Sequence, residues 1–480
     1  MGERQTNLFQ PTFNRAARVA IAPTPMSEDA GAIALREVAE ATGLPQALKA
    51  LGDPRAQGRV TYPLQELLLS RLLLMAQGRA DQLDANLLRH DPAFRVAVSS
   101  RRGNRALRSA QKPREPTTLA SQPTLSRMNH ALATDENLKV LCAVLLATAR
   151  HRMWRAHGRF RRLVVDVDSF ANPAHGRQAG AKYNGHYRQV CHHPIVAITH
   201  TGDIVGVMLR PGNVHTANDV TDFLEPIIAA LLQDCDELLV RVDSGYADGE
   251  LFAWLAARGA KVVTRLRSNT ALKRKAADWR TELDARWDAD PADSRPARHA
   301  VHEFEHQAST WDHKMRAVAV VVERDADRPQ LFRRQFYLCT DLEPAEGAEA
   351  VLSIYRQRGN AERHIGELKG VLTPRLSSAS RRRAGRSYKG EAVGMNDNAV
   401  VLLLTALAYN LMHALRCGLE AATDEGLSLG RLRKQVLKTP CTVGGHARRI
   451  EFKICPSRET WWRLLSTAMQ TIRQPREVAA

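Results

Sequence analysis

Between residues 161 and 266 the hydrophobic period switches repeatedly between two and 3.6, and this alternation restricts the architecture more than any other feature of the chain. "RRLVVDVDSF" (161–170) reads as a short β-branched strand, and "PIVAITHTGDIVGVMLR" (194–210) as two strands around a "TGD" turn, a hairpin. A helical stretch from about 218 to 233 follows, then strand "ELLVRVD" (237–243), helix "DGELFAWLAARG" (248–259) and strand "KVVTRL" (261–266). The order β-β-β-α-β-α-β predicts an α/β fold on a mixed sheet. Further on, "MRAVAVVVER" and "QLFRRQFYLCTDL", inside 270–342, alternate like antiparallel strands.

Two carboxylates lie inside the first strand. Side chains alternate along a strand, so Asp166 and Asp168 share one face while Val165 and Val167 take the other. Strands disfavour Asp and a buried charge needs a partner, so packing alone does not account for the pair. Asp243 ends a later strand just before a turn and a helix, where ligands bind in open α/β sheets. Read alone, it is equally well a turn or capping residue.

"YRQRGNAERHIGELK" (355–369) sorts its charges when placed on a helix. With Tyr355 at zero, Arg358 falls near ~300°, Glu362 near ~340° and Lys369 near ~320°, one stripe. Ala361, Ile365, Leu368 and Leu372 form an adjacent apolar stripe suited to packing on the sheet. Glu367 falls near ~120°, on the far side. An amphipathic surface helix with an i,i+4 ion pair explains the pattern by itself; three carboxylates converging from sheet and helix are what two hard divalent cations require.

Charge narrows the partner. Lys and Arg outnumber Asp and Glu by 69 to 51 in 480 residues, a net charge of +18, which favours a polyanion, with nucleic acid ahead of an anionic membrane surface. The N-terminus has no apolar core of signal-peptide type, and the longest apolar stretch, "AVVLLLTALAYNLMHAL" (399–415), falls short of about 20 residues and carries Asn410 and His413. It reads as a buried helix, so a membrane is not expected as a partner. The seven cysteines are scattered and never in a CxxC pair, and the histidines around 175–193 match no zinc motif.

Residues 1–155 read as helical, with "PLQELLLSRLLLMAQG" (63–78) ended by Gly78 and "TLSRMNHALATDENLKVLCAVLLATARHRMW" (124–154) as helical segments. The basic stretches at 99–116 and 378–390 are solvated loops or DNA contacts. At the end of the chain, 446–469 reads as a strand and a helix in which Trp461 and Trp462 pack.

The spacing Y-x2-R-x3-E-x6-K, met by Tyr355, Arg358, Glu362 and Lys369, resembles the signature helix of DDE transposases from bacterial insertion sequences. "DVDSFANPAHGRQAGAKYNGHY" (166–187), "LRPGNVHTANDV" (209–220), "RVDSGYA" (241–247), "ALAYNLMHALR" (406–416), "LLRHDPAFRVAV" (87–98) and "LASQPTLSR" (119–127) narrow the resemblance to the insertion-sequence family numbered thirteen-eighty.

The resemblance implies a ribonuclease-H-like mixed-sheet core with a β-rich insertion and a helical N-terminal DNA-binding region. The expected division is 1–155 for that region, 156–269 and 346–420 for the two parts of the core, 270–345 for the insertion and 421–480 for a C-terminal strand and helix. Asp168, Asp243 and Glu362 match the three acids that would hold two Mg²⁺ ions, with Mn²⁺ as a substitute. Tyr355, Arg358 and Lys369 match phosphate contacts, and in the loop after the first strand Arg177, Lys182, Tyr183 and Asn184 supply donors suited to a DNA backbone. The family commonly has Thr two residues after the first acid, where this chain has Phe170, which leaves Asp166 in competition with Asp168.

The expected function is therefore cut-and-paste transposition: binding of terminal inverted repeats, metal-dependent cleavage, and strand transfer into target DNA. At least a dimer would act in the synaptic complex, at the nucleoid of a bacterial cytoplasm. The alternatives are a non-catalytic, domesticated transposase occupying the repeats, or a two-metal nuclease.

Overall fold

Phe160–Ser169 (β1) lies inside an eight-stranded sheet. Its β-branched residues divide as the period of two demands: Leu163, Val165 and Val167 enter one core, and Val164 enters another on the opposite face. The computed structural model describes residues 7–13, 16–21, 24–101, 103–107, 116–289, 298–323, 333–378, 390–446 and 449–473. Residues 379–389 of the basic run and much of the 99–116 loop lie outside the described residues.

Ile195–Thr199 (β2) and Ile204–Met208 (β3) form the expected hairpin, with Gly202 at φ +87° in the turn. Cys235–Val242 (β4) and Ala260–Leu266 (β5) run parallel to β1, whereas β2 runs antiparallel to it. Val220–Leu231 (α2) precedes β4 and Gly249–Ala257 (α3) joins β4 to β5, after the longer Asp135–His157 (α1). The apolar sides of α2 and α3 pack with Val165, Val167, Leu238 and Val240 in one core.

After β5 the chain makes a helix, Ala277–Ala289 (α4), and three strands, Arg298–His306 (β6), Met315–Glu323 (β7) and Arg334–Thr340 (β8). Rather than forming a separate sheet, these strands extend the first one, because β8 pairs antiparallel with β5. The strand order is β6-β7-β8-β5-β4-β1-β2-β3. Gly347–Arg356 (α5) then lays Val351 and Leu352 over Val164, Leu239, Val263, Val318 and Leu338. Leu239 is fully buried there, and its truncation to Ala should cost about 2–5 kcal/mol.

By its contacts the chain forms two compact units. Among the described residues the sheet unit comprises Ala133–Gly370 and Leu376–Ala406; the other comprises those up to Leu132, Val371–Arg375 and those from Leu407 to Arg473. In the latter, helices Gly31–Ala41, Leu64–Ala76, Pro92–Val98 and Gln122–Leu132 co-fold with the end of the chain. Its C-terminal hairpin, Cys441–His446 with Arg449–Ile454, takes Met26–Ser27 as a third strand, and Lys438 pairs with the buried Asp29 at 2.5 Å. Trp462 Nε1 donates to Thr439 at 3.1 Å, so this ring packs as expected. The long helix Gly390–Thr423 contains a span, Ala392–Thr423, apolar and long enough to cross a membrane, but 94% of its most apolar window is buried within the protein.

Candidate active site

Because β1 and β4 are parallel neighbours, their carboxyl ends emerge side by side. Asp166 stands opposite Arg241 in the register, and two residues on, Asp168 and Asp243 follow on the same face. Asp168 and Asp243 line one cavity of 680 Å³. The Asp243 carboxylate is braced by the Gly245 N–H at 2.8 Å, and that of Asp168 by the Ser169 N–H at 2.8 Å.

The two aspartates of β1 have separate fates. Asp166 is 2% exposed and held by both arms of Arg241, Nε at 2.8 Å and Nη2 at 2.6 Å. Asp168 keeps 20% of its side chain exposed and faces the cavity. Its other partner is Arg358, whose Nη2 donates to Asp168 Oδ2 at 2.6 Å while Nη1 donates to Glu362 Oε1 at 3.1 Å. Burial pushes the Asp168 carboxyl up to about 6; the Arg358 charge opposes this, and the charges of Asp243 and Glu362 add to it.

The signature segment is not one helix. α5 ends at Arg356 and a second helix, Gly359–Glu367 (α6), begins three residues later. Through the junction the backbone tightens to i→i−3 bonds: Arg358 N to Tyr355 O, Asn360 N to Gln357 O and Ala361 N to Arg358 O. After α6 comes a π-helical turn, Leu368–Leu372. The straight-helix projection is thus corrected in detail, yet the apolar positions Ala361, Ile365, Leu368 and Leu372 are all buried and Glu362 still reaches Arg358. Glu367 sits 4.0 Å from His364 Nδ1, and neither glutamate lines the cavity.

A family model described as transposase DDE domain, group 1, matches residues 9–477. The chain belongs to the DDE transposases.

No curated protein sequence matches this transposase. Among solved structures it is similar to the cryo-EM structure of a piggyBac transposase synaptic complex with hairpin DNA, at 11% identity and a TM-score of 0.35, over 94% of this chain and 80% of that one.

Of the remaining signature side chains, Tyr355 lies within electrostatic reach of Asp243 and Glu362. Tyr355 is half-buried and burial raises its phenol above the ordinary value, so it is a neutral donor. The Lys369 ammonium stands 5.8 Å from the centre of the Phe170 ring, which is buried two residues beyond Asp168.

The loop after β1 folds into a small sheet of Asn172–Pro173, Lys182–Asn184 and Gln189–His192, which walls the cavity with Tyr183, His186, Tyr187 and His193. Arg177, Lys182 and Tyr183 are exposed. Asn184 is buried: its Nδ2 donates to Gly212 O at 2.7 Å and its Oδ1 accepts from the N–H groups of His186 and Tyr187. These bonds tie the Asn184 amide into the loop, at the wall of the same cavity. Sequence reading left Arg241, Arg267 and His193 unassigned; Arg267 and His193 line the cavity. Alternation along β4 could have flagged Arg241, two residues before Asp243.

The donor set suits a hard divalent cation, since Asp168, Asp243 and Glu362 offer only carboxylate oxygens. In the arrangement described, however, Asp168 and Glu362 are joined through the Arg358 guanidinium. Among the described residues no three His, Cys, Asp or Glu side chains stand together as a metal-holding group.

Proposed function

We propose that this DDE transposase catalyses cut-and-paste transposition of a bacterial insertion sequence, of the family numbered thirteen-eighty, on a ribonuclease-H-like core. The observation that carries this reading is the meeting of Asp168 and Asp243 on one cavity with Glu362 tied to Asp168 through Arg358. The strand run β3-β2-β1-β4-β5, antiparallel on one side of β1 and parallel on the other, supports the assignment of the core.

Asp168, Asp243 and Glu362 would hold two Mg²⁺ ions, with Mn²⁺ as a substitute. What such ions supply when bound is neutralisation of the scissile phosphate and activation of the attacking oxygen. In the first step water forms a bond to phosphorus, and the 3′ oxygen leaves and takes up a proton. In the second, that 3′-hydroxyl loses its proton as its oxygen attacks a target phosphodiester, whose own 3′ oxygen leaves. Arg358 and Lys369 neutralise phosphate oxygens near the cut, Tyr355 donates a hydrogen bond, and Arg177, Lys182 and Tyr183 contact the flanking backbone.

The partners are the terminal inverted repeats and target DNA, handled by at least a dimer in the bacterial cytoplasm. Labelled end DNA incubated with protein and Mg²⁺ tests the reading. Free 3′-hydroxyl ends followed by joined products support it; binding without cleavage would replace it with a non-catalytic repeat-binding role.

A further inference from the structure

We propose that Arg241 is a positioning residue that fixes the two aspartate-bearing strands against the end of α5, the helix that leads into the Glu362-bearing α6. The proposal rests on the reading of Asp168, Asp243 and Glu362 as the reactive carboxylates. One guanidinium reaches three elements at once. It stands on β4, grips the Asp166 carboxylate of β1 with Nε at 2.8 Å and Nη2 at 2.6 Å, and donates from Nη1 to the Ile354 carbonyl of α5 at 2.6 Å. Both charged side chains are at most 2% exposed.

Each anchor lies close in sequence to a site residue. Asp166 is two residues before Asp168 on the same strand face, and Arg241 is two before Asp243. Ile354 directly precedes Tyr355, in the last turn of α5. At the junction the Arg358 N–H turns to the Tyr355 carbonyl, and the Ile354 carbonyl receives Arg241. The clamp therefore holds the end of α5 where the chain bends, and with it the direction in which Arg358 and α6 leave toward Asp168.

Stability alone does not explain such a pair. A buried ion pair is often no more stabilising than apolar side chains of the same volume. What the ion pair adds is direction: the planar fork fixes the carboxylate in two places and keeps a third donor for the helix carbonyl. It also divides the two aspartates of "DVD": Asp166 is the anchor and Asp168 the ligand.

The test compares wild type, Asp168→Asn, Arg241→Lys and the double variant Asp166→Leu/Arg241→Met for thermal unfolding, Mn²⁺ affinity by calorimetry, and single-turnover cleavage of saturating end DNA. The double variant is expected to melt near the wild-type temperature and to bind DNA normally. Its cleavage rate should fall about 100-fold or more, the cost of misplacing reacting groups by an ångström, and its Mn²⁺ affinity should fall with it. Arg241→Lys keeps the charge but not the fork; it should show the same split and carries the test if the double variant does not fold. Either variant, folded and with wild-type Mn²⁺ affinity and rate, would overturn the clamp. Unchanged Mn²⁺ binding in Asp168→Asn would instead overturn the site reading, and the clamp with it.

Discussion

The Arg358 guanidinium bonds the Asp168 carboxylate at 2.6 Å, across 190 positions of sequence, and its other arm holds Glu362 at 3.1 Å. A side chain that the signature motif assigns to DNA phosphate therefore stands between two carboxylates assigned to metal. The same guanidinium cannot serve both, so on the proposed reading cation and phosphate would be coupled through it: a metal bound by the acids would release Arg358 toward an anion.

This coupling predicts that Arg358→Gln binds Mn²⁺ more tightly than wild type in the absence of DNA, by about tenfold or about 1.4 kcal/mol, while cleaving end DNA more slowly. Calorimetric titration of both proteins checks the first part. Equal affinities would mean that the ion pair does not oppose the metal.

The Asp168 carboxyl, raised to about 6 chiefly by burial, gives the site a pH dependence. Metal needs the ionised form, so protons compete as pH falls through that value. Mn²⁺ affinity is expected to drop about tenfold between pH 7.5 and pH 5, where only about a tenth of this group is ionised. Titrations at the two pH values in the wild type and in Asp168→Asn decide it, since the variant should lose this component.

In the loop after β1, adjacent residues should behave oppositely. Asn184→Ala removes the bonds to Gly212, His186 and Tyr187 and should destabilise the sheet unit by about 1–3 kcal/mol. Tyr183, 61% exposed at the cavity, should change stability by no more than about 0.5 kcal/mol on truncation to Ala while weakening end DNA binding. Denaturant melts combined with DNA titrations separate the two effects.

Salt dependence should identify the side chains that neutralise phosphates. Replacing Arg177 or Lys182 by Ala is expected to lower the slope of log K against log salt by about one per substitution, uniformly across DNA sequences. An unchanged slope would place that side chain off the DNA.

Much of this was legible in the sequence where period and turn chemistry agree. The hairpin around "TGD" and the β4-α3-β5 segment follow directly from alternation and the glycine turns. The helix α4 escaped notice because "ADWRTELDARWDA" is polar nearly all round and buries only Leu283 and Trp287. The bend between α5 and α6 was hidden because Tyr355, Arg358 and Glu362 keep helical spacing on either side of it. Which aspartate of "DVD" faces the cavity could not be read from alternation, since both share a face; the difference is made by Arg241, a partner 75 positions away.

The most direct test of the account is excision and joining in Mg²⁺ from a plasmid carrying the gene's own flanking repeats, comparing wild type, Glu362→Gln and Glu367→Gln. The account predicts that Glu362→Gln binds the ends but neither cuts nor joins them, whereas Glu367→Gln retains activity. Full excision by Glu362→Gln would contradict it.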